Sequence, residues 1–279
     1  MPVALVREAA TRGGRERVPE PMVMDEQQSV AEFDSAGESG GGLVGVYELC
    51  ARRMSRLTPR DATVIDLGCG PAQFAIHLAL RRPDIEIRGY DLSPNMLELA
   101  QRNIDQAGLS DRIAVEVGDM TAFAGQAPQR PGLVSSTFAL HHLPTREHLV
   151  RCFEQIEVVR ERSGCAVQLF DLARLRNAKT HRTMIECVVP ALTREPYMWR
   201  DSLVSEGAAW SPAEFRDALA AAGLNGLKSK AGFPYAGFQM HWAPGDEQVD
   251  DSDLWRSQSL SFGDRVDSVM LGWLFAHPF

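Results

Sequence analysis

The chain predicts an α/β fold built on a doubly wound, mostly parallel sheet, and three observations carry that prediction. Short apolar strands alternate with amphipathic helices from residue 63 to residue 170, the pattern of a parallel sheet with helices on both faces. The first strand, Thr63–Leu67, runs straight into a turn containing Gly68 and Gly70 and then into a helix. The second strand, Ile85–Asp91, ends on an acid and is followed by Ser93-Pro94 opening another helix.

The elements follow in order. Residues 1–24 are polar, with Gly13-Gly14, Pro19 and Pro21, and read as a mobile segment. Residues 26–34 suit a short helix, and Gly40-Gly41-Gly42 a hinge. Val44, Tyr47, Ala51 and Met54 recur at helical spacing between Leu43 and Leu57. After the first strand, Pro71–Leu80 is a helix. Pro94–Ala107 is the next, with Ser93 as its N-cap, Pro94 at its first position and Gly108 as its stop. Ile113–Val117 and Leu133–Phe138 are strands, Arg146–Arg160 a helix and Ala166–Phe170 the fifth strand. Ala173–Trp210 breaks the rhythm and reads as one or two inserted helices. Ser211-Pro212-Ala213-Glu214 is a capping box whose helix runs to about Ala222. Leu227–Ala231 and Phe238–Trp242 complete seven strands as a hairpin turning near Pro234, which gives the sheet an antiparallel last strand. The expected organisation is a flexible segment over 1–42, one domain over 43–244 with a helical insertion over 173–210, and an extension over 245–279. That extension carries Val269, Met270, Leu271, Trp273, Leu274 and Phe275, which need a surface to bury against, and a homodimer through it is the expectation.

Composition narrows the function classes. The 279 residues contain 44% hydrophobic and 24% charged residues, enough for a full core. No apolar run is long enough for a membrane span or a signal region, so the expected location is cytoplasmic. A formal charge of −8 disfavours generic binding to a phosphate backbone. The only lysines are Lys179, Lys228 and Lys230, an arginine bias that fits a GC-rich bacterial genome. Cys50, Cys69, Cys152, Cys165 and Cys187 are scattered without a C-x-x-C pair, so neither a zinc site nor a redox motif is signalled and no metal is expected.

The stretch from Val64 to Ala79, VIDLGCGPAQFAIHLA, places an acid (Asp66) on the strand and glycines after it. Glycine has no side chain to block a close approach of backbone to a nucleoside-containing cofactor. Asp91, about 20 residues past the turn, suits hydrogen bonds to ribose hydroxyls, which NAD and S-adenosylmethionine (SAM) both carry. The dinucleotide pattern G-x-G-x-x-G would need glycine at position 73, which is Gln73. Asp66 would also repel a pyrophosphate, whereas a ligand bearing an ammonium and a sulfonium tolerates it. Charge therefore favours SAM over NAD.

Asp66-Leu67-Gly68-Cys69-Gly70-Pro71 resembles motif I of the class I SAM-dependent methyltransferases. Asp91 matches the ribose-binding acid of that family. Val117-Gly118-Asp119-Met120 is similar to the segment that holds the adenine, and Phe138-Ala139-Leu140-His141-His142-Leu143 to the end of the fourth strand in the methyltransferase-domain subgroup. Ala72 stands where many members have a third glycine. A weaker likeness, to bacterial methyltransferases with a PEP-x-x-MD opening, covers Pro19 to Asp25, and an SL…SPAEF segment covers Ser202 to Phe215. The resemblance implies a Rossmann-like sheet, SAM as cofactor and S-adenosylhomocysteine as product. It also implies a cofactor site of Asp66, Gly68, Cys69, Gly70, Asp91, Leu92, Met96, Asp119, Met120 and Thr137.

Methyl transfer from a sulfonium mainly needs the acceptor positioned and water excluded, and a hydroxyl or thiol acceptor also needs a base. His141 and His142, just past the fourth strand, are the candidates. Tyr197, Trp199, Trp210, Tyr235, Trp242, Trp255 and Trp273 could line an aromatic substrate pocket or serve as core. An arginine of the insertion (Arg182, Arg194 or Arg200) could hold a substrate carboxylate or lie on a solvated face. The expected activity is methyl transfer to a small molecule, as a step of specialised metabolism. The alternatives are a nucleic-acid or protein methyltransferase, against which the missing N-P-P-[YF] pattern after the fourth strand and the acidity both weigh, and a SAM-binding subunit without catalysis.

Overall fold

The computed structural model describes residues 2–22, 27–38, 41–188, 196–231, 237–247, 249, 254–260 and 265. Seven strands form one sheet in the order β3-β2-β1-β4-β5-β7-β6. They are β1 (Thr63–Leu67), β2 (Glu86–Asp91), β3 (Ile113–Val117), β4 (Leu133–Thr137), β5 (Ala166–Leu172), β6 (Lys228–Ala231) and β7 (Phe238–Ala243). β1 through β5 pair in parallel, and β7 runs against both β5 and β6. The chain order reverses between β1 and β4, so the crevice beyond their C-terminal ends is the topological switch point where such sheets take ligands.

The central strands β1, β4 and β5 are buried along nearly their whole length, as expected of a parallel sheet covered on both faces. One face packs on α3 (Val44–Ser55), α4 (Gln73–Arg81) and α5 (Pro94–Gln106) through Val46, Met54, Leu78, Ile87 and Ala100. The other packs on α6 (Arg146–Ser163) and α9 (Pro212–Ala221) through Ile65, Val134, Phe153, Ile156 and Phe215. The sequence-level caps form. Ser93 Oγ accepts from the Met96 amide, and Ser211 and Glu214 close a reciprocal capping box. Gly164, at a φ of 68°, stops α6.

Residues 2–22, for which polarity suggested a mobile segment, make defined contacts with the domain. Pro2–Ala10 is a helix (α1) packed on α7 (Ala178–Val188), and the irregular stretch after it, over 11–22, is tied to the domain. The Arg17 guanidinium donates to the carbonyls of Ala208 (2.5 Å), Pro144 (2.7 Å), His141 (2.8 Å) and Leu143 (2.7 Å). It also lies 3.8 Å from the Trp210 ring centroid. Val18 donates to the Gly207 carbonyl at 3.1 Å. A polar arm held by guanidinium-to-carbonyl bonds has no apolar periodicity for a sequence to display.

The short helix expected over 26–34 is α2 (Gln27–Gly37). Glu32 accepts from the amides of Tyr197 and Met198 at the start of α8 (Pro196–Ala208), at 2.9 and 2.8 Å, where an acid complements the unpaired amides of a helix N-terminus. Asp34 accepts from Gln73 and Asn103, each at 2.8 Å. Thus α2 bridges the inserted helices and the α4–α5 side of the domain. Among the described residues of 173–210 there are two helices, α7 and α8. The turn near Pro234 and the apolar residues 269–275, on which the dimer expectation rests, lie outside the described residues.

Gly89, in the middle of β2, meets the turn after β1. A Cβ added there would stand 2.7 Å from Cys69 Sγ and 3.0 Å from Val115 Cγ1. Gly89→Ala is therefore expected to destabilise the fold by about 1–3 kcal/mol through overpacking, read by urea unfolding. Unchanged stability would show that the turn can yield at no cost.

Candidate active site

The turn between β1 and α4 is shaped by hydrogen bonds to its neighbours. The amides of Gly68 and Cys69 both donate to the Tyr90 carbonyl on β2, at 2.8 and 3.1 Å. Gly68 and Gly70 have φ of 70° and 51°, the left-handed region that glycine adopts without a Cβ penalty. A Cβ at Gly68 would lie 2.2 Å from the Ala139 Cβ and 3.3 Å from Met120 Cε. The segments after β1, β3 and β4 thus meet at this one residue. Ala72, where the resembled family often has glycine, also has a positive φ of 63°. Phe138, just past β4, does so at 58°, a strained conformation for a bulky residue, and its ring is held between Phe170 and Phe238.

Asp91 closes the turn. Its Oδ2 accepts from the Gly70 amide (2.8 Å) and its Oδ1 from the Ser93 amide (2.9 Å). Burial raises its pKa, and the bonds from Ser93 and Gly70 offset part of that rise. Leu92 follows it half-buried, and Met96 is buried on the first turn of α5. Asp119 Oδ1 accepts from the Thr121 amide and hydroxyl at 2.7 and 2.8 Å, fixing the turn after β3. Asp66 is 3% exposed, with Ser135 Oγ 3.1 Å from its Oδ1. Burial pushes its pKa up to about 7, Ser135 works against the rise and Asp91 adds to it.

The two histidines occupy different settings. A short 3₁₀ turn, Leu140–His142, carries both. His141 is 4% exposed. Its Nδ1 lies 2.6 Å from Asp171 Oδ1, its backbone amide donates to Asp171 Oδ2 at 2.8 Å, and its Nε2 is 3.3 Å from Glu20 Oε1. Burial pulls its pKa down, but Asp171 and then Glu20 more than reverse that, so the net shift is upward. His142 Nδ1 donates to the Pro21 carbonyl at 3.1 Å and also lies 3.3 Å from Glu20 Oε1. Burial and the charge of His141 lower its pKa to about 3. With both ring nitrogens facing carboxylates, His141 has no lone pair to offer an acceptor, which argues against the general-base role expected of it. His142 stays neutral near pH 7, and its low basicity makes it a poor proton acceptor there.

Other candidates are dispersed. Trp210 is buried and its Nε1 donates to the Leu140 carbonyl at 3.0 Å, so it serves the core beneath the histidine turn. Trp242 and Trp255 pack with the opposite face and take Arg53 and Arg52 over their rings. These tryptophans do not line one pocket. Tyr235, Trp273 and Arg194 lie outside the described residues. Arg200 pairs with Asp201 at 3.0 Å, and Arg182 lies 6.0 Å from the Trp199 ring centroid. Three residues near the site escaped sequence reasoning: Asp171, because β5 runs past Phe170, and Glu20 and Arg17, because the arm bearing them was read as mobile. No metal was expected from the cysteines, yet Glu20, His141 and His142 bring ligand atoms within 4.8 Å of one another. The four described cysteines, Cys50, Cys69, Cys152 and Cys165, are free and buried.

Comparison with known proteins agrees with this geometry. Residues 64–164 match the family model described as "Methyltransferase domain". The match runs from β1 to the end of α6 and supports a class I SAM-dependent methyltransferase. Over 139 residues the chain is 33% identical to trans-aconitate 2-methyltransferase of Variovorax paradoxus, covering 50% of this chain and 49% of that protein. Over 62 residues it is 42% identical to carboxy-S-adenosyl-L-methionine synthase of Campylobacter jejuni, covering 22% of this chain and 26% of that protein. The chain thus spans between a quarter and a half of these curated relatives. A Methanococcus maripaludis structure described as an S-adenosyl-L-methionine-dependent methyltransferase shares the fold, with a TM-score of 0.56, 21% identity and coverage of 82% of this chain and 99% of that one. SAM is the cofactor of this domain class. No described helix is long and apolar enough to cross a membrane.

The residues present fit that cofactor. Gly68 and Gly70 keep side chains out of the crevice, and Thr137 Oγ1, at the end of β4, is buried without a hydrogen-bond partner. An unsatisfied buried hydroxyl at a switch point asks for a ligand or water.

Two outcomes are expected here. Asp66 has a folded pKa of about 7 against an ordinary 3.8, so it is protonated in the fold where it is ionised in the unfolded chain. Its contribution is full below the ordinary value and is lost as pH rises through the window between the two. Asp66→Asn should flatten the fall of Tm across that window relative to wild type; parallel profiles would contradict the assignment. His141→Ala strands the Asp171 and Glu20 carboxylates, and unfolding should show a loss of about 3–5 kcal/mol. A loss under about 1 kcal/mol would mean that the pair is effectively solvated.

Proposed function

We propose that the chain is a methyltransferase that transfers a methyl group from SAM to a small-molecule acceptor. The observation that carries the reading is the Gly68–Gly70 turn held open against Ala139, with the Asp91 carboxylate bound to its amide. When bound, SAM supplies an activated methyl group on a sulfonium, so the protein's task is orientation and exclusion of water.

In this proposal Asp91 receives the ribose hydroxyls, its remaining lone pairs being free of the two amide bonds. Asp119 and Met120 flank the adenine, while Asp66, Cys69, Leu92, Met96 and Thr137 complete the wall. Phe33 on α2, with its Cε1 3.9 Å from where a Gly70 Cβ would stand, lies over the turn. The arm of residues 15–21 and α8 cover the histidine turn. His141 acts as a fixed positive post rather than a base, and among the described residues His142 Nε2 is the ring nitrogen left free to contact an acceptor.

A small acceptor is supported by the cover over the switch point, by the acidity of the chain and by the Variovorax relative, whose name specifies a small organic acid. Incubation with methyl-labelled SAM and separate pools of bacterial metabolites, RNA and protein tests it. Label is expected in the low-mass pool. Label in RNA or protein would overturn the small-molecule reading, and cofactor binding with no label in any pool would favour a non-catalytic subunit.

A further inference from the structure

Three electron-pair donors converge where the arm meets the histidine turn. Glu20 Oε1 is 3.3 Å from His141 Nε2 and 3.3 Å from His142 Nδ1, and all three atoms lie within 4.8 Å of one another. The Glu20 side chain is 8% exposed, and its Oε1 is buried without a hydrogen-bond partner. A buried carboxylate oxygen that faces two imidazole nitrogens without bonding either points at a place between them. Two ligands of a tetrahedral ion bound at about 2.0–2.1 Å stand roughly 3.3–3.4 Å apart, which is the separation seen on two edges.

The surroundings favour a cation there. Asp171 accepts the Nδ1 proton of His141, so Nε2, which faces Glu20, is the nitrogen that would release its proton to solvent and take an ion in exchange. A carboxylate behind a ligating imidazole is the usual support of a metal-bound histidine. Ser205 Oγ donates to Glu20 Oε2 at 3.0 Å and turns Oε1 toward the rings. Arg17 holds the backbone of His141 and Leu143, so both rings are carried on a fixed turn. The donors come from distant parts of the chain, Glu20 from the arm and the two histidines from the turn after β4.

We propose that Glu20, His141 and His142 bind one divalent transition-metal ion of the zinc type. Two imidazoles and one carboxylate suit zinc, iron or cobalt over magnesium or calcium, which take oxygen ligands. Ligation by His142 Nδ1 replaces the proton now given to Pro21, which moves to Nε2 or to solvent. Three protein donors leave coordination positions for water or an acceptor oxygen. The ion clamps residues 15–21 onto the sheet edge. This inference is independent of the methyl-transfer reading, because its test needs no substrate.

The full chain, stripped with a chelator, is loaded with Zn²⁺ or Co²⁺ and freed of excess metal by gel filtration. About one equivalent of metal per chain is expected by elemental analysis, with Co²⁺ giving the visible bands of a nitrogen–oxygen site. Glu20→Ala and His142→Ala should each weaken binding about 100-fold or more, while His148→Ala should not. His142 is partly exposed and takes no part in the His141–Asp171 pair, so its removal keeps that pair and the test survives if the Glu20 variant misfolds. Failure of wild type to retain Zn²⁺ or Co²⁺ overturns the proposal. So do thiolate-to-cobalt bands, or unchanged binding in the folded His142→Ala variant.

Discussion

The site depends on one close approach, that of the Gly68 backbone to Ala139. A methyl group at Gly68 would have to occupy the same space as the Ala139 side chain. With that contact kept, the turn after β1 lies under the end of β4, the Tyr90 carbonyl takes its first two amides and the Asp91 carboxylate takes the Gly70 amide. Each bond holds the next, so the ends of β1, β2 and β4 form one rigid edge. Gly89 extends the constraint to the middle of the sheet, because the space a side chain would fill there is occupied by Cys69.

The second constraint is electrostatic. Burial raises the pKa of Asp66, Asp91 and Glu20, the last against the pull of His141 and Ser205. Three acids that resist ionisation near one edge are poised to gain from a cationic ligand. Desolvation alone would neutralise His141, and it is Asp171 that keeps its pKa high. The edge is thus arranged to gain from positive charge.

Much of the fold was legible in the sequence because it rests on local physics. Strand and helix periods, the Ser93 and Ser211 caps and the Gly108 stop are set by neighbours in the chain, and the elements from β1 to β5 fall within a few residues of expectation. The glycine turn and Asp91 were legible for the same reason. What stayed hidden depends on distant partners. The polar arm is ordered by Arg17 bonds to carbonyls more than a hundred residues away. Glu20 looked solvated until that arm was placed, and Asp171 acquired a role only because β5 continues to Leu172. The histidines were located correctly, but their chemistry is set by those two acids, which no local pattern joins to them.

The most direct measurement is calorimetric titration of the full chain with S-adenosylhomocysteine, alongside Asp91→Ala. The account predicts micromolar binding by wild type and at least a tenfold loss in a folded variant, or about 1.4 kcal/mol, because the variant removes both the proposed ribose acceptor and the anchor of the Gly70 amide. Equal affinity in the two proteins, or no binding by folded wild type, would contradict it.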